Sequence, residues 1–426
     1  MREMKDSGVD WIGEIPKDWK CCKQKYEIQL LNGRAYKDSE FEEDGTYKIL
    51  RVGNLFSNST WYTSSLELGE NKYCIKGDLL YSWSMSYGPH IWYGDKVIYH
   101  YHIWKTELKK DMMMKYAYYY LLALTNNIKA ETHETTMGFV TMGSMNNSYI
   151  VVPKIKEQCR IVSYLDKICV ELDDIYKDIQ HQIEVLQEYK QSVITEAVTK
   201  GLDKNVAMKD SGIDCIGEVP STWEVKRAKY IAETLSKGNG ITKEDIVLDG
   251  DIQCVRYGEI YTQYNGVFWQ AVTRTNIERI SSPKYIEKGD ILFAGTGELV
   301  SEIGKNIVFM GDEPCLAGGD IVVMRHSQNP IFLNYAMNSN YAQDQKSMGK
   351  AKLKVVHISA TDIGNIRIAL PPLNEQEKIA EYLDKYCSTI DVAIADKQKQ
   401  LDTLAEYKKS LIYEYVTGKK EVPVDA

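Results

Sequence analysis

The chain has 426 residues, 44% apolar and 26% charged, which is globular composition with room for about three domain-sized units and excludes a disordered tail protein. No apolar run reaches the roughly 18 residues of a membrane helix, MREMKDSGVDW lacks the apolar core of a signal peptide, and nine scattered cysteines without a C-x-x-C pair exclude a disulfide scaffold or zinc ribbon, so a cytoplasmic location is expected. The net charge of −8 excludes a uniformly basic coat for nucleic acid, although the acidity lies in residues 157–200 (−4) and 375–418 (−3), leaving 20–150 at +1 and 224–370 at 0.

In chain order, residues 1–19 form a head containing MKDSGVDWIGEIPKDW from Met4. Residues 20–152 read as a mixed α+β domain, with a strand-like run Lys96–Trp104 and a helical run Met112–Leu124. Pro153 then sets the start of a long helix over 153–200. Its heptad pattern puts Ile161, Ile168, Ile175, Gln182 and Tyr189 at a, and Leu165, Leu172, Ile179, Leu186 and Val193 at d.

Residues 201–223 are a linker and a second head, MKDSGIDCIGEVPSTW from Met208, identical to the first at 11 of 16 positions. A second domain spans 224–371, and the block between the repeated head and the repeated helix segment is 14 residues longer in this copy than in the first. Faint echoes join the two: Arg51-x-Gly53 lies opposite Arg256-x-Gly258, and KGDLL at 76–80 opposite KGDIL at 288–292. After Pro371 and Pro372 a second helix spans 372–418, followed by a tail over 419–426. Its seam reads Ile379, Tyr386, Ala393, Gln400 and Tyr407 at a, and Leu383, Ile390, Lys397, Leu404 and Leu411 at d. Residues 152–201 match 370–419 without a gap, with 22 identities in 50. Such a match is what a register-locked coiled coil demands, and 42 residues would make a rod of about 63 Å. The expected fold is α+β: two similar domains, each followed by a long helix, with internal pseudo-twofold symmetry.

The heads, the helix entries PKIKEQCRIVSYLDK and PPLNEQEKIAEYLDK, the helix ends ITEAVTKGL and IYEYVTGKK, and the KGD-apolar-apolar strands together resemble the DNA specificity subunit of Type I restriction–modification enzymes (the HsdS family). The resemblance covers essentially the whole chain. It implies two target recognition domains, each reading one half of a bipartite site in double-stranded DNA. It also implies that the helices pair as an antiparallel coiled coil that sets the spacing and docks two methyltransferase subunits. Restriction subunits would join the full complex, and S-adenosylmethionine, ATP and Mg²⁺ would belong to the partners, leaving this chain with no cofactor, no metal and no catalytic residue. With the heptad centres near residues 177 and 395 facing each other, Gln182 would lie near Ile390, and Gln400 near Leu172–Asp173.

Other motifs in the chain are weak. Gly295-Thr296-Gly297 lacks the third glycine of a nucleotide loop and reads as a turn. Gly304-Lys305-Asn306 lacks the spacing of a phosphate loop, and Asn329-Pro330-Ile331-Phe332 reads as a turn opening a helix. Asp95 with Glu107-x-Lys109 mimics a nuclease metal site, a pattern that arises by chance among 60 acidic residues. His100-x-His102 could face one way on a strand but has no third ligand.

Candidate DNA contacts are Gly33, Arg34, Tyr36 and Lys37 in one loop, Ser82, Trp83, Ser84 and Tyr87 in another, and Arg51 and Arg256 at matching places. Lys346, Lys350, Lys352 and Lys354 form the densest basic run and suit phosphates. Two other classes compete: a self-contained DNA methyltransferase or nuclease with a bipartite recognition region, and a bivalent structural adaptor.

Overall fold

The computed structural model describes residues 2–423, apart from Met85, 132–139, 298, 300–301 and 349–355. It divides into two compact units, 1–180 with 399–426, and 181–398. Among the described residues no helix is long and apolar enough to cross a membrane.

In the first unit the head is a hairpin, Met4–Asp6 against Glu14–Pro16. Beyond the pair Lys20–Lys23 with Tyr149–Val152, the described residues of the recognition domain that follows form eight strands: Ile28–Asn32 (β1), Tyr47–Leu50 (β2), Tyr62–Ser64 (β3), Tyr73–Cys74 (β4), Leu79–Ser82 (β5), Gly88–Ile91 (β6), Val97–Tyr99 (β7) and Ile103–Leu108 (β8). They form two four-stranded sheets, ordered β3-β2-β7-β4 and β1-β8-β5-β6. Helix α1, Met114–Glu131, packs on the second sheet and buries Tyr116, Tyr120 and Leu121 completely. The expected strand Lys96–Trp104 is in fact two strands joined by a turn at residues 101–102.

The second unit repeats this plan. Its head is the hairpin Met208–Asp210 with Glu218–Pro220. Its eight matching strands are Ala232–Lys237 (β9), Ile252–Val255 (β10), Thr273–Thr275 (β11), Tyr285–Ile286 (β12), Ile291–Ala294 (β13), Asn306–Phe309 (β14), Cys315–Ala317 (β15) and Ile321–His326 (β16). Their sheets run β11-β10-β15-β12 and β9-β16-β13-β14, the second extended by Val267–Phe268. The extra length of this copy lies mainly in the connections 256–272 and 295–305. Asn329 caps the next helix, accepting from the Phe332 amide, as the turn reading of that motif expected. The echoes noted in the sequence are structural equivalents. Gly77 and Gly289 share a left-handed φ of 96° and 95°, and Asp78 and Asp290 each accept a turn amide at 2.8 Å, from Ile75 and Glu287.

The long helices are Ile155–Lys200 (α2) and Leu373–Val416, starting two residues after Pro153 and one after Pro372. Each enters through the same lock. The Trp19 indole donates to Glu157 at 2.9 Å, and Trp223 to Glu375 at 3.0 Å. Gln158 and Gln376, both wholly buried, bind the preceding loops: Gln158 accepts from the Met113 amide at 2.8 Å and Gln376 from Asn329 at 3.0 Å. Tyr119 and Tyr335 donate to Asp166 and Asp384 about two turns later.

Within each unit the two long helices run antiparallel. In the first, Lys408 binds Asp173 and Tyr164 packs on Tyr415; in the second, Lys190 binds Asp391. Two sequence expectations are corrected here. The register is displaced, because Lys408 rather than Gln400 faces Asp173, and Lys190 rather than Gln182 faces Asp391. The seam also moves. Ile161, Leu165, Leu172, Ile379, Leu383, Ile390 and Leu411 are buried, and Ile168, Ile179, Leu186 and Leu404 partly so. Ile175 and Tyr386, however, are 47% and 43% exposed, and their inward places are taken by Tyr176 and Cys387. The d positions hold and the a positions advance by one residue, so Gln182 faces solvent. The cause is that each helix also packs on its recognition domain: Val162 and Cys169, beside the expected a residues, join the core that contains α1. The inward positions 162, 165, 169, 172, 176 and 179 still recur at three and four residues, so the heptad survives in a register set by both packings.

Candidate nucleic-acid interface

Strands β2 and β7 run parallel, pairing Ile49 with Ile98 and Leu50 with Tyr99. Their C-terminal ends therefore leave the sheet at one edge, and the residues that follow them, Arg51 and His100-Tyr101-His102, meet there. The loop after β1 reaches the same edge, because Arg34 forms a bridge with His100 and its amide bonds the Tyr99 carbonyl at 3.1 Å. The Trp83 indole donates to the Tyr101 carbonyl at 2.7 Å. Three of the stretches singled out in the sequence thus converge on a histidine–tyrosine turn that sequence reasoning treated as a strand.

The cleft between them holds about 360 Å³ and is lined by Tyr36, Asp38, Phe41, Arg51, Tyr62 and His100. Arg51 is exposed, its guanidinium 5.0 Å from the Tyr62 ring, and among the described residues no carboxylate pairs with it. Arg34 differs: its guanidinium grips Glu40 at 2.5 and 3.2 Å, which cancels its charge locally and pulls the Glu40 carboxyl below its ordinary range. Burial, with His102 and Arg51 nearby, pushes His100 down to about 4; His102 is lowered by burial and Arg51. Both imidazoles are therefore neutral at pH 7, each with one donor and one acceptor nitrogen. The edge offers a cation, two amphoteric rings and aromatic faces, a set suited to base edges and phosphates.

The second unit builds the same edge with other side chains. Strands β10 and β15 pair in parallel, Cys254 with Leu316 and Val255 with Ala317, and lead into Arg256 and Gly318-Gly319-Asp320. Asn239 bridges Gly318 as Arg34 bridges His100. The cleft here holds about 830 Å³, with Thr242, Lys243, Arg256, Gln263 and Val272 on its walls. Arg256 is pinned to Glu259 at 2.9 Å.

Several expected contacts are corrected by burial. Gly33 is buried, and a Cβ there would stand 2.3 Å from the His100 carbonyl oxygen, so it is glycine to let two backbones approach. Ser82 is fully buried and donates to the Ser86 carbonyl at 2.7 Å. Tyr87 is 9% exposed and belongs to the core. Lys346 is 2% exposed and donates to the carbonyls of Met337 and Gly304 at 2.6 and 2.7 Å and to the Asn306 side chain at 3.1 Å, so it cannot reach a phosphate. Lys350, Lys352 and Lys354 lie outside the described residues. Tyr36, Trp83 and Ser84 are half-buried and Lys37 is exposed. Sequence reasoning missed the role of Tyr62 and of the turn at His100–His102. The signal was the H-Y-H run itself, an unusual density of rings for a strand of which only one face packs.

The Type I restriction modification DNA specificity domain matches residues 16–185 and again 220–403. The chain is 26% identical over 420 residues to the Type I restriction enzyme MjaVIII specificity subunit of Methanocaldococcus jannaschii, covering 96% of this chain and 94% of that one. It is 20% identical to the Type I restriction enzyme EcoBI specificity subunit of Escherichia coli, over 95% of this chain and 87% of that protein. A chain solved in work on complex assembly and conformational transition of the type I R-M system superposes with a TM-score of 0.68 at 13% identity, covering 95% of this chain and 99% of that one. With both copies of the domain matched and the duplicated two-sheet frame in place, this chain belongs to the Type I restriction modification DNA specificity family.

Proposed function

We propose that the chain is the DNA-recognition subunit of a Type I restriction–modification system, in which each recognition domain reads one half of a bipartite double-stranded target. The observation that carries this reading is the repeated edge. One parallel strand pair, duplicated, presents Arg51 in one unit and Arg256 in the other beside clefts of different lining. A shared frame with divergent side chains suits two half-sites of different sequence. Lys350, Lys352 and Lys354 remain candidates for phosphate contacts. The acidic faces of the long helices repel phosphates, so they suit protein partners, two methyltransferase subunits and beyond them restriction subunits. Methylation, with S-adenosylmethionine, and ATP- and Mg²⁺-dependent cleavage then belong to those partners in the cytoplasm, and this chain is non-catalytic.

The test is selection from randomised duplex DNA by the chain assembled with its methyltransferase subunits. A split motif is expected. Replacing residues 224–370 by the corresponding block of a relative should change one half of that motif only. Methyl transfer or DNA cleavage by the purified chain alone would overturn the non-catalytic assignment.

A further inference from the structure

Resting on the DNA-recognition reading above, we propose that His100 and His102 are the specificity-determining side chains of the first domain, reading a purine edge in the major groove with Arg51 beside them.

The backbone of this turn is already committed. The His100 amide bonds the Leu50 carbonyl at 2.9 Å, the Tyr101 amide that of Arg34 at 3.1 Å, and the Ile103 amide that of His100 at 3.0 Å. The His102 carbonyl accepts from the Trp83 amide at 3.2 Å, and the Tyr101 carbonyl from its indole. Five bonds, four of them to three other segments and one within the turn, hold six backbone atoms in place, so the side chains are what this turn can offer a ligand. The two imidazoles lie 4.8 Å apart, centre to centre, and Tyr36 stacks beside His100 with a 26° interplanar angle. Among the described residues neither ring has a hydrogen-bond partner for its nitrogens. Half-buried polar rings that are oriented but unpartnered are groups whose hydrogen bonds are left for something outside the chain.

The chemistry points to a purine. In the major groove adenine shows an acceptor at N7 and a donor at N6, and guanine two acceptors at N7 and O6. Neutral imidazoles supply one donor and one acceptor each, and the Arg51 guanidinium supplies donors only, so together they match either purine edge better than the single exocyclic group of a pyrimidine. In the second unit the equivalent residues are Gly318, Gly319 and Asp320, which carry no ring at all. The same position on the frame therefore reads differently in the two halves. Trp83 acts as a positioning residue, through its bond to the Tyr101 carbonyl.

The experiment uses the full chain assembled with its methyltransferase subunits and a library of randomised duplex DNA, comparing wild type with His100→Asn, His102→Asn and His102→Gln. Thermal unfolding of each variant reports whether it folds, and His102→Gln serves where a smaller side chain does not. The expected result is that preference at one or two base pairs falls tenfold or more in one half of the split motif, while the other half and the spacing stay as in wild type. An unchanged motif in folded variants overturns the inference and leaves the DNA-recognition reading standing. Loss of preference in both halves also overturns it, since that marks a structural role. A wild-type assembly that selects no motif overturns the DNA-recognition reading itself.

Discussion

Lys190 donates to both carboxylate oxygens of Asp391, at 2.6 and 2.7 Å. Its repeat mate Lys408 meets Asp173, the repeat mate of Asp391, at 2.5 Å. One pair appearing twice with its helices exchanged is what two antiparallel copies of a sequence must give, because each helix supplies the lysine once and the aspartate once. Lys190 is 19% exposed and Asp391 37%, so solvent screens the attraction. Lys190→Ala or Asp391→Ala should cost about 1 kcal/mol. The exchanged pair, Lys190→Asp with Asp391→Lys, should recover most of it. Denaturant unfolding of the four proteins measures the coupling, and exchange without recovery would argue that the pair does not fix the register.

The locks at the helix entries carry more. Gln158 accepts from the Met113 amide and donates to the carbonyls of Asp111 and Pro153, all at 2.8 Å with no solvent access. Gln158→Ala would orphan the buried Pro153 carbonyl and unpair the part-buried Met113 amide and Asp111 carbonyl, and should destabilise the first unit by roughly 2–4 kcal/mol. Gln376→Ala should do the same in the second. Hydrogen exchange should localise each loss, with faster exchange at Met113 in one variant and at Asn329 in the other. Equal loosening of both loops in either variant would contradict these separate locks.

Much of this architecture was legible in the sequence because repetition exposes it. Two heads, two proline-started helices and two KGD strands are all where the sequence placed them. What failed shares one physical cause. Heptad assignment presumes a single partner helix, whereas here Cys169 joins a core that includes the recognition domain, so Ile175 turned outward and Tyr176 inward. Lys346 looked like part of a surface basic run, yet its ammonium lies 5.6 Å from the Phe293 ring centre and is consumed by three oxygens brought from other elements. The turn at Tyr101 was illegible for a related reason. It is imposed by the parallel pairing of strands almost 50 residues apart, which no local pattern announces.

Burial pushes the Lys346 ammonium down to about 7, from an ordinary 10.5. Between those values the unfolded chain binds a proton that the folded chain lacks, so stability of the second unit should rise as pH goes from about 7 towards 10.5, by at most about 1.4 kcal/mol per pH unit. Below pH 7 this contribution is constant. Lys346→Met should flatten that rise while leaving Gly304, Met337 and Asn306 without their donor. Urea midpoints at pH 7, 8 and 9 make the comparison, and parallel slopes for wild type and variant would rule out Lys346 as the source.

Arg51 and Arg34 stand at the same edge with opposite prospects. Arg51 forms no ion pair among the described residues, its guanidinium lying over the Tyr62 ring, whereas Arg34 spends its charge on Glu40. Arg51→Ala should weaken DNA binding by about tenfold and lower the salt slope by about one unit. Arg34→Ala should leave the slope nearly unchanged and instead loosen the loop of residues 33–40. Fluorescence anisotropy across a salt series distinguishes them, and equal slopes for the two variants would remove Arg51 from the interface.

The displaced seam can be tested with neighbouring residues on one helix turn. A two-helix heptad puts Tyr386 inside, yet it is 43% exposed while Cys387 is 3% exposed within the second unit's core. Burying a carboxylate without a partner costs several kcal/mol, whereas a charge on a solvated helix face costs little. Tyr386→Glu should therefore change stability by less than about 1 kcal/mol, and Cys387→Glu should lower it by roughly 3 kcal/mol or more. The first unit offers a second comparison on the same helix, six residues apart rather than adjacent: Ile175→Glu, at a site 47% exposed, should be tolerated, and Cys169→Glu, at a site 6% exposed, should not. If the heptad seam were the true one, both orders would reverse. Because the two positions in each copy belong to the same helix and carry the same introduced group, helix propensity and net charge cancel, leaving the direction in which each residue faces as the variable that unfolding midpoints report.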